Sequence, residues 1–455
     1  MTSTRILVPS GVLGLGFDRE ALARGAALQP DIICIDGGST DSGPFSLGTA
    51  TSKYSRTACL DEWKDLMQVR ETLKVPLVIG TSGTAGCDAC VDWMLEITRE
   101  IAEELKLAVH IACLYSEQEK HAIADAFTKD KLVALEPEVP ISAESIKANE
   151  HIVALAGAEQ IQAALDTGAD IVLAGRTTDT AIIAALALTR GCHPGAAWHA
   201  AKIAECGALC SSNPTSGVIM VDIDETGFSV FPLADGAVCT PQSVSAHMLY
   251  ENSDPYILYE PGGYLDVSKA VYHQLDERTV RVSDSQWHVS DQYTVKLEGA
   301  SCAGFQSVIL CLLRDARYVS NSKAWIARLT RYLDQEIPQR LGLSASEFDI
   351  EFRLMGVDAV LGALETQTGQ SHEVGVLGIV TADTQDIADD IAKYMNPFVL
   401  HYPLTDDEAL PTFAFPFSPA QMSRGPLFQF TLNHVLEIDT PMQVFRITEQ
   451  RYTAT

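Results

Sequence analysis

The chain has 455 residues, 47% of them hydrophobic, and a formal net charge of −28. This length exceeds what one hydrophobic core usually serves, so at least two domains are expected. The acidic surplus argues against nucleic-acid binding, because a phosphate backbone requires clustered lysine and arginine. No run approaches the roughly 18 apolar residues of a membrane span, so no membrane partner is expected.

The eleven cysteines lie mostly in apolar or small-residue runs, which is typical of reduced, buried thiols. The first residues lack the long apolar stretch of a signal peptide. Together these features predict a soluble, cytoplasmic protein.

The first half of the chain alternates short apolar runs with helical patterns. The predicted strands cover 4–9, 31–36, 75–80, 107–113, 152–155 and 170–174. The predicted helices cover 89–106, 117–127, 158–167 and 180–189. This β-loop-α order predicts an α/β domain over residues 1–230 with a mostly parallel, Rossmann-like sheet.

The pattern changes after about residue 215. Residues 218–222 and 227–232 alternate as a hairpin, and strand-like runs separated by proline and glycine follow. A later segment predicts a strand at 374–381, a helix at 385–396 and a strand at 398–401. We therefore expect a smaller α+β domain over residues 231–455 with a β-rich C-terminal tail.

Four loops follow predicted strands of the first domain, where ligands of open α/β sheets bind. The first, Gly11–Gly16, has G-x-x-G-x-G spacing, which does not match the dinucleotide fingerprint. The third, 80–88, lacks the Lys-Ser/Thr pair of a nucleotide-binding P-loop. The sequence therefore predicts no nucleotide or redox cofactor.

The second and third loops favour a bound anion. Asp36 ends the second strand, where a general acid or base could act, although it could also cap backbone N–H groups. The third loop opens the helix at 89–106, whose N-terminus favours negative charge. The residues predicted to hold a carboxylate or phosphate are Gly38, Ser39, Thr40, Thr81, Ser82, Gly83 and Thr84.

The fourth loop places a cation near a carboxylate. Arg176, with Thr177, is predicted to bind a substrate carboxylate, and Asp179 is predicted to act as a base or to cap the helix. Glu205 could act as a general acid or base, and the adjacent Cys206 could instead belong to a packing turn.

No metal site is predicted. Cys87 and Cys90 form a C-x-x-C pair, but no second pair has zinc spacing, and the pair is expected to pack the helix.

Several longer segments resemble one known family. They are GTSGTAGCD at 80–88, AGRTTDT at 174–180, AECGALCSSNP at 204–214, TPQSVSAHMLYENSDP at 240–255, LEGASCAGFQS at 297–307 and FPFSPAQMSRGP at 415–426. Over almost its whole length the chain resembles the acyclic terpene utilisation (AtuA-like) proteins, and Gly-Arg-x-x-Asp and Glu-Cys-Gly are the most specific elements. Ser82 and Asp88 depart from the family's usual third loop. The resemblance implies the breakdown of branched, citronellol-like acids through CoA thioesters.

These observations predict a cofactor-independent lyase or hydratase acting next to the carbonyl of a small carboxylic acid or its CoA thioester. Asp36, Asp179 and Glu205 are the predicted catalytic residues. An isomerase or racemase would use the same groups, and a non-catalytic ligand-binding subunit of a larger enzyme is the alternative. The apolar run at 182–188 and the aromatic tail at 413–430 favour a homo-oligomer.

Overall fold

The computed structural model describes residues 2–367, 369 and 371–453. By its contacts the chain divides into two compact units, which we call unit 1 (residues 1–301 and 430–455) and unit 2 (residues 302–429). This division differs from the predicted boundary at residue 230, because strands on both sides of that residue belong to one sheet of unit 1.

The strands are, in chain order, β1 (Ser3–Val8), β2 (Ile32–Ile35), β3 (Leu77–Ile79), β4 (Ala108–Tyr115), β5 (Leu132–Ala134), β6 (His151–Ala154), β7 (Ile171–Ala174), β8 (Ile219–Asp224), β9 (Gly227–Pro232), β10 (Ile257–Glu260), β11 (Gly263–Asp266), β12 (Val271–Gln274), β13 (Val280–Ser283), β14 (Gln286–Val289), β15 (Tyr293–Leu313), β16 (Phe348–Met355), β17 (Val374–Ala382), β18 (Gln421–Ile438) and β19 (Arg446–Thr453).

The α-helices are α1 (Arg19–Ala27), α2 (Phe45–Thr49), α3 (Arg56–Leu73), α4 (Asp88–Glu104), α5 (Lys120–Thr128), α6 (Ala143–Lys147), α7 (Ala158–Leu165), α8 (Ala181–Thr189), α9 (Pro194–Ala204), α10 (Pro241–Ala246), α11 (Ala316–Ser320), α12 (Ser322–Leu341) and α13 (Gln385–His401).

The main sheet of unit 1 has ten strands in the order β12-β13-β9-β8-β1-β2-β3-β7-β4-β19. The five central strands, β1 to β4 with β7, are parallel. β8 pairs antiparallel with β1 at one side, and β19 pairs antiparallel with β4 at the other. The predicted α/β class is confirmed, whereas the sheet is mixed rather than mostly parallel. The hairpin β8–β9 and the C-terminal strand extend the parallel centre.

The two faces of this sheet are both buried. On β1, Ile6 and Val8 belong to one apolar cluster, and Leu7 between them belongs to another. Successive side chains of a strand point to opposite faces, so the sheet separates two cores. Helices α1, α3 and α4 contribute to the core that contains Leu7, and α5, α7, α8 and α9 contribute to the other. Parallel strands covered on both faces explain the continuous apolar runs of the sequence.

Two glycines allow the loops at the strand ends to pack closely. A Cβ at Gly37 would lie 2.1 Å from the carbonyl oxygen of Thr81. Gly86 has a φ of 64°, and a Cβ there would lie 2.2 Å from the nitrogen of Arg176. The second, third and fourth loops therefore contact one another through their backbones, which only glycine permits at these two positions.

Unit 2 is an antiparallel sheet covered by helices. β17 pairs with β16 and with residues 305–313 of β15, and helices α12 and α13 supply the rest of the apolar core. The predicted strand at 398–401 is wrong, because α13 continues through Pro397 to His401. Met395 and Val399 both lie in this core, and their burial offsets the hydrogen bond that proline removes.

Shorter pairings complete unit 1. β10, β11 and β14 form a three-stranded sheet, β6 pairs with residues 297–300 of β15, and β5 pairs with residues 434–436 of β18. Within the described residues, no helix combines the length and apolar character needed to cross a bilayer.

Candidate functional site

Four acidic side chains of unit 1 lie close enough to influence one another's ionisation, and we call Asp36, Asp179, Glu205 and Glu260 the carboxylate cluster. Asp36 follows β2, and Asp179 lies in the loop after β7, so both lie at the carboxyl edge of the parallel strands. Glu205 caps the C-terminus of α9, and Glu260 is the last residue of β10.

Asp36 is held by the backbone of two loops. Its Oδ1 accepts hydrogen bonds from the N–H groups of Gly38, at 3.0 Å, and Thr81, at 3.2 Å. Burial and then the negative charge of Asp179 raise the pKa of Asp36 well above its ordinary value, and these two N–H groups oppose the shift. Burial and the charge of Asp179 therefore favour the protonated form of Asp36.

The other three acids titrate near neutrality. Burial raises the pKa of Asp179 to about 6, although Arg176 opposes the rise. Burial raises the pKa of Glu205 to about 8 against the attraction of Lys202. Burial likewise raises the pKa of Glu260 to about 7, and the charge of Asp179 adds to the shift at Glu205 and Glu260. Asp179 is thus the member whose charge acts on all the others.

Asp179 is also the member that solvent reaches. It is partly exposed, as are the neighbouring Thr178 and Cys206, whereas Asp36, Glu205 and Glu260 are buried. A solute that approaches the cluster would meet Asp179 first.

Lys202 supplies one buried cation. Its Nζ donates to Oε1 of Glu205 at 2.5 Å and to the backbone oxygen of Tyr250 at 2.9 Å. Burial alone would lower the pKa of Lys202, but Glu205 raises it above its ordinary value. Lys202 therefore stays charged beside an acid that burial tends to keep protonated.

Arg176 supplies the second cation, and its hydrogen-bonding groups are occupied within the fold. Its Nε and Nη2 form a fork on Glu298, both at 3.1 Å, and its Nη1 donates to the hydroxyl of Thr81 at 3.2 Å. Thr40 donates to Oε2 of Glu298 at 3.1 Å. Burial would raise the pKa of Glu298, but Arg176 lowers it below its ordinary value. A substrate carboxylate would have to displace Glu298 to take the Nε–Nη2 edge of this guanidinium.

The remaining residues predicted to bind an anion differ in their surroundings. The Ser39 hydroxyl donates to Asp41, and the Thr84 hydroxyl accepts from the N–H of Lys53 at 3.2 Å. The N–H groups of Ser82 and Thr84 donate to backbone oxygens of neighbouring loops. Much of the third loop's predicted anion-binding capacity is therefore used to hold the loops together.

Unpartnered polar atoms gather around this site. Among the described residues, the buried side-chain atoms without a hydrogen-bond partner include Oγ of Ser82, Oγ1 of Thr177, Nε2 of His247 and Oε2 of Glu260. Buried polar atoms in native proteins almost always have partners, so a local concentration of exceptions points to a ligand or solvent molecule.

One group of side chains here has donors suited to a metal ion. Ligand atoms of Glu205, Cys206 and His247 lie within 4.8 Å of one another. Sulfur, nitrogen and oxygen donors together suit zinc-like ions better than magnesium or calcium.

Two surface cavities have linings that do not include the carboxylate cluster. One of about 580 Å³ adjoins the third loop, and Ser52, Tyr54, Gly83 and Cys90 are among its lining residues. A larger one, of about 650 Å³, is lined by Arg24, Phe231 and Arg278. We place the candidate site at the cluster, because several displaced pKa values in one place indicate function more directly than a depression in the surface.

The structure brings the three predicted catalytic acids together and adds residues that sequence reasoning missed: Lys202, His247, Glu260 and Glu298. Lys202 had a signal in its spacing alone, since it precedes Glu205 by three residues, which brings two side chains together on a helix. Glu260 and Glu298 had none, because they arrive from strands distant in the chain.

The fold and the cluster define an α/β protein with a largely buried group of carboxylates at the edge of its main sheet. Residues 52–407 match the family model of the acyclic terpene utilisation family protein AtuA. The chain belongs to this family. No curated protein and no solved structure is significantly similar to it.

Proposed function

We propose that this protein is a lyase or hydratase that eliminates or adds water next to the carbonyl of a small or branched acyl group, by acid–base chemistry. One observation carries the proposal. In a single cluster, the pKa of Asp179 is about 6 and that of Glu205 is about 8. At pH 7 the first is mostly ionised and the second mostly protonated, which are the states that a general base and a general acid require.

In this proposal Asp179 removes the proton α to the carbonyl, and Glu205 protonates the hydroxyl group that leaves from the β carbon. Solvent exposure of Asp179 allows the substrate to approach it. Lys202, hydrogen-bonded to Glu205, orients that carboxyl group. Asp36, whose pKa is raised by burial, would in its protonated form donate a hydrogen bond toward the developing enolate.

The charges around the cluster favour a thioester over a free acid. Asp179 and Glu298 balance Arg176 and Lys202, Glu205 is mostly protonated at pH 7, and Glu260, with a pKa of about 7, adds partial negative charge. The Arg176 fork is also occupied by Glu298. An uncharged thioester carbonyl therefore fits this environment better than a carboxylate does. The family's association with acyclic terpene utilisation supports a branched acyl chain.

An isomerase or racemase is the second candidate, because the same Asp179–Glu205 pair could move a proton without a leaving group. Proton NMR in D₂O separates the candidates. The purified protein is incubated with pooled hydroxylated, unsaturated and branched acids and their CoA thioesters. Loss or gain of water identifies a lyase or hydratase, and deuterium uptake with rearrangement or inversion identifies an isomerase or racemase.

The decisive variant is Asp179→Asn, with exposed Asp166→Asn as the matched control. Removing the base should lower turnover by roughly 10²–10⁴-fold and leave the control unchanged. The wild-type rate should fall below about pH 6, as Asp179 takes a proton, and above about pH 8, as Glu205 loses one. Turnover by Asp179→Asn at the wild-type rate would remove Asp179 from the base role, and line broadening without exchange would support a binding subunit.

A further inference from the structure

A second cluster of ligand-type side chains lies in unit 1 and plays no part in the proposed reaction. Ligand atoms of Cys87, Glu117 and His151 lie within 4.8 Å of one another. Cys87 precedes the first residue of α4, Glu117 follows β4, and His151 is the first residue of β6. Three segments distant in the chain thus bring a thiol, a carboxylate and an imidazole to one point.

A second sulfur adjoins this point. The Sγ atoms of Cys87 and Cys90 are 3.3 Å apart, with Cys90 one helical turn further along. Two cysteines in C-x-x-C spacing, one histidine and one carboxylate are donors that Zn²⁺ accepts in tetrahedral sites. With metal–ligand bonds of about 2.0–2.3 Å, the ligand atoms of such a site are roughly 3.3–3.8 Å apart. For Cys87, Glu117 and His151, separations of up to 4.8 Å would have to shorten by roughly 1–1.5 Å to reach that arrangement, and the thiol of Cys90, which lies outside this group, would have to turn toward it.

We propose that Cys87, Glu117 and His151 bind a zinc-class divalent ion, with Cys90 as the fourth ligand. The inference goes beyond the proposed function and does not depend on it.

The surroundings agree with a bound cation. Both oxygens of Glu117 are already oriented, one by the ring of His151 at 2.6 Å and the other by the N–H of Asp88 at 2.8 Å. Asp88 brings a second carboxylate, whose Oδ1 is buried and has no hydrogen-bond partner. Glu117 is paired with His151 and Asp88 with Arg446, so the negative charge for a divalent ion would come from the two cysteines, which lose their protons when they ligate a metal.

An ion can reach the cluster from solvent. The side chains of Glu117 and His151 are 23% and 26% exposed, whereas the two cysteines are buried. An ion at this position would connect the start of α4, and hence the third loop, to β4 and β6. Its expected role is structural, because four protein ligands would surround the ion completely.

The test measures metal binding by the full-length, tag-free protein, reduced and freed of metal and then titrated with Co²⁺. Wild type should bind a single ion at this site with a thiolate-to-cobalt absorption band, and Zn²⁺ should displace it. Cys87→Ser and His151→Gln should weaken Co²⁺ binding by at least about tenfold. Exposed Cys302→Ser is the matched thiol control and should behave as wild type.

Two further variants keep the test decisive. Glu117→Gln retains the shape of the side chain, so a loss of affinity in this variant without a change in circular dichroism reports ligation rather than folding. His247→Gln alters the other candidate donor group, formed with Glu205 and Cys206. The proposal is overturned if the absorption band survives in the Cys87→Ser/Cys90→Ser double variant, if it is lost only in His247→Gln, or if the reduced protein binds no ion and mass spectrometry finds a Cys87–Cys90 disulfide instead.

Discussion

The two units bury different kinds of side chain. Among the described residues, every buried charged or imidazole side chain belongs to unit 1, including Asp36, Arg176, Lys202, Glu205 and Glu260. The buried polar side chains of unit 2 in the described residues are two serines, Ser307 and Ser322. Its ion pairs, such as Arg353 with Glu351, are exposed to solvent.

Burying a charge is costly unless another charge or a proton compensates it. Unit 2 has the composition expected of a unit whose interior serves stability alone. Unit 1 carries this cost at several places, and in the carboxylate cluster burial also displaces the pKa values of neighbouring acids, as is common at functional sites. The difference supports the placement of the candidate site in unit 1.

The largest effect on stability is expected from the buried ion pair of unit 1. Glu298→Ala leaves the Arg176 guanidinium, 6% exposed, without its fork partner. Uncompensated burial of that charge should lower the free energy of unfolding by about 3–5 kcal/mol. Urea unfolding followed by tryptophan fluorescence suits this measurement, because Trp63, Trp93, Trp198 and Trp287 all lie in unit 1. A loss of less than about 1 kcal/mol would mean that Arg176 is solvated like a surface residue.

The next effect depends on pH. Glu260 has a pKa of about 7 in the folded chain, above its ordinary value of 4.5, so the folded state binds its proton more tightly. The stability that this bound proton gives the folded state is fully present below about pH 4.5 and is lost as the pH rises through 7. Glutamine is neutral at every pH, so Glu260→Gln does not lose this stability as the pH rises. The variant should be more stable than wild type by up to about 3 kcal/mol at pH 8 and nearly equal to it at pH 4.

Urea unfolding at both pH values tests this expectation, with exposed Glu277→Gln as the matched control. A stability difference between Glu260→Gln and wild type that does not vary with pH would show that Glu260 ionises normally in the folded protein.

The smallest effect is expected in unit 2. Glu351 accepts from Nε of Arg353 at 2.8 Å, and each side chain is 49% exposed. Solvent screens such a pair, so Glu351→Gln should change the free energy of unfolding by less than about 1 kcal/mol. A loss comparable to that of Glu298→Ala would erase the distinction between the two units.

The sequence by itself determined the central strands and many of the helices. Apolar runs at 31–36, 75–80 and 170–174 became β2, β3 and β7, because strands buried on both faces must be apolar throughout. The position of Asp36 at the end of a strand and the Gly-Arg-x-x-Asp loop were also predicted from the local sequence alone. The sequence did not show that α13 continues through Pro397, since that outcome depends on how Met395 and Val399 pack.

Tertiary structure alone decided the electrostatics of the site. No local pattern indicates that Glu298 takes the Arg176 fork or that Glu260 reaches Asp179, because these side chains come from strands far along the chain. Nor does a lone C-x-x-C reveal that Glu117 and His151 lie beside it. The pKa of a carboxyl group depends on burial and on charges within a few ångströms, and only the folded chain sets those distances.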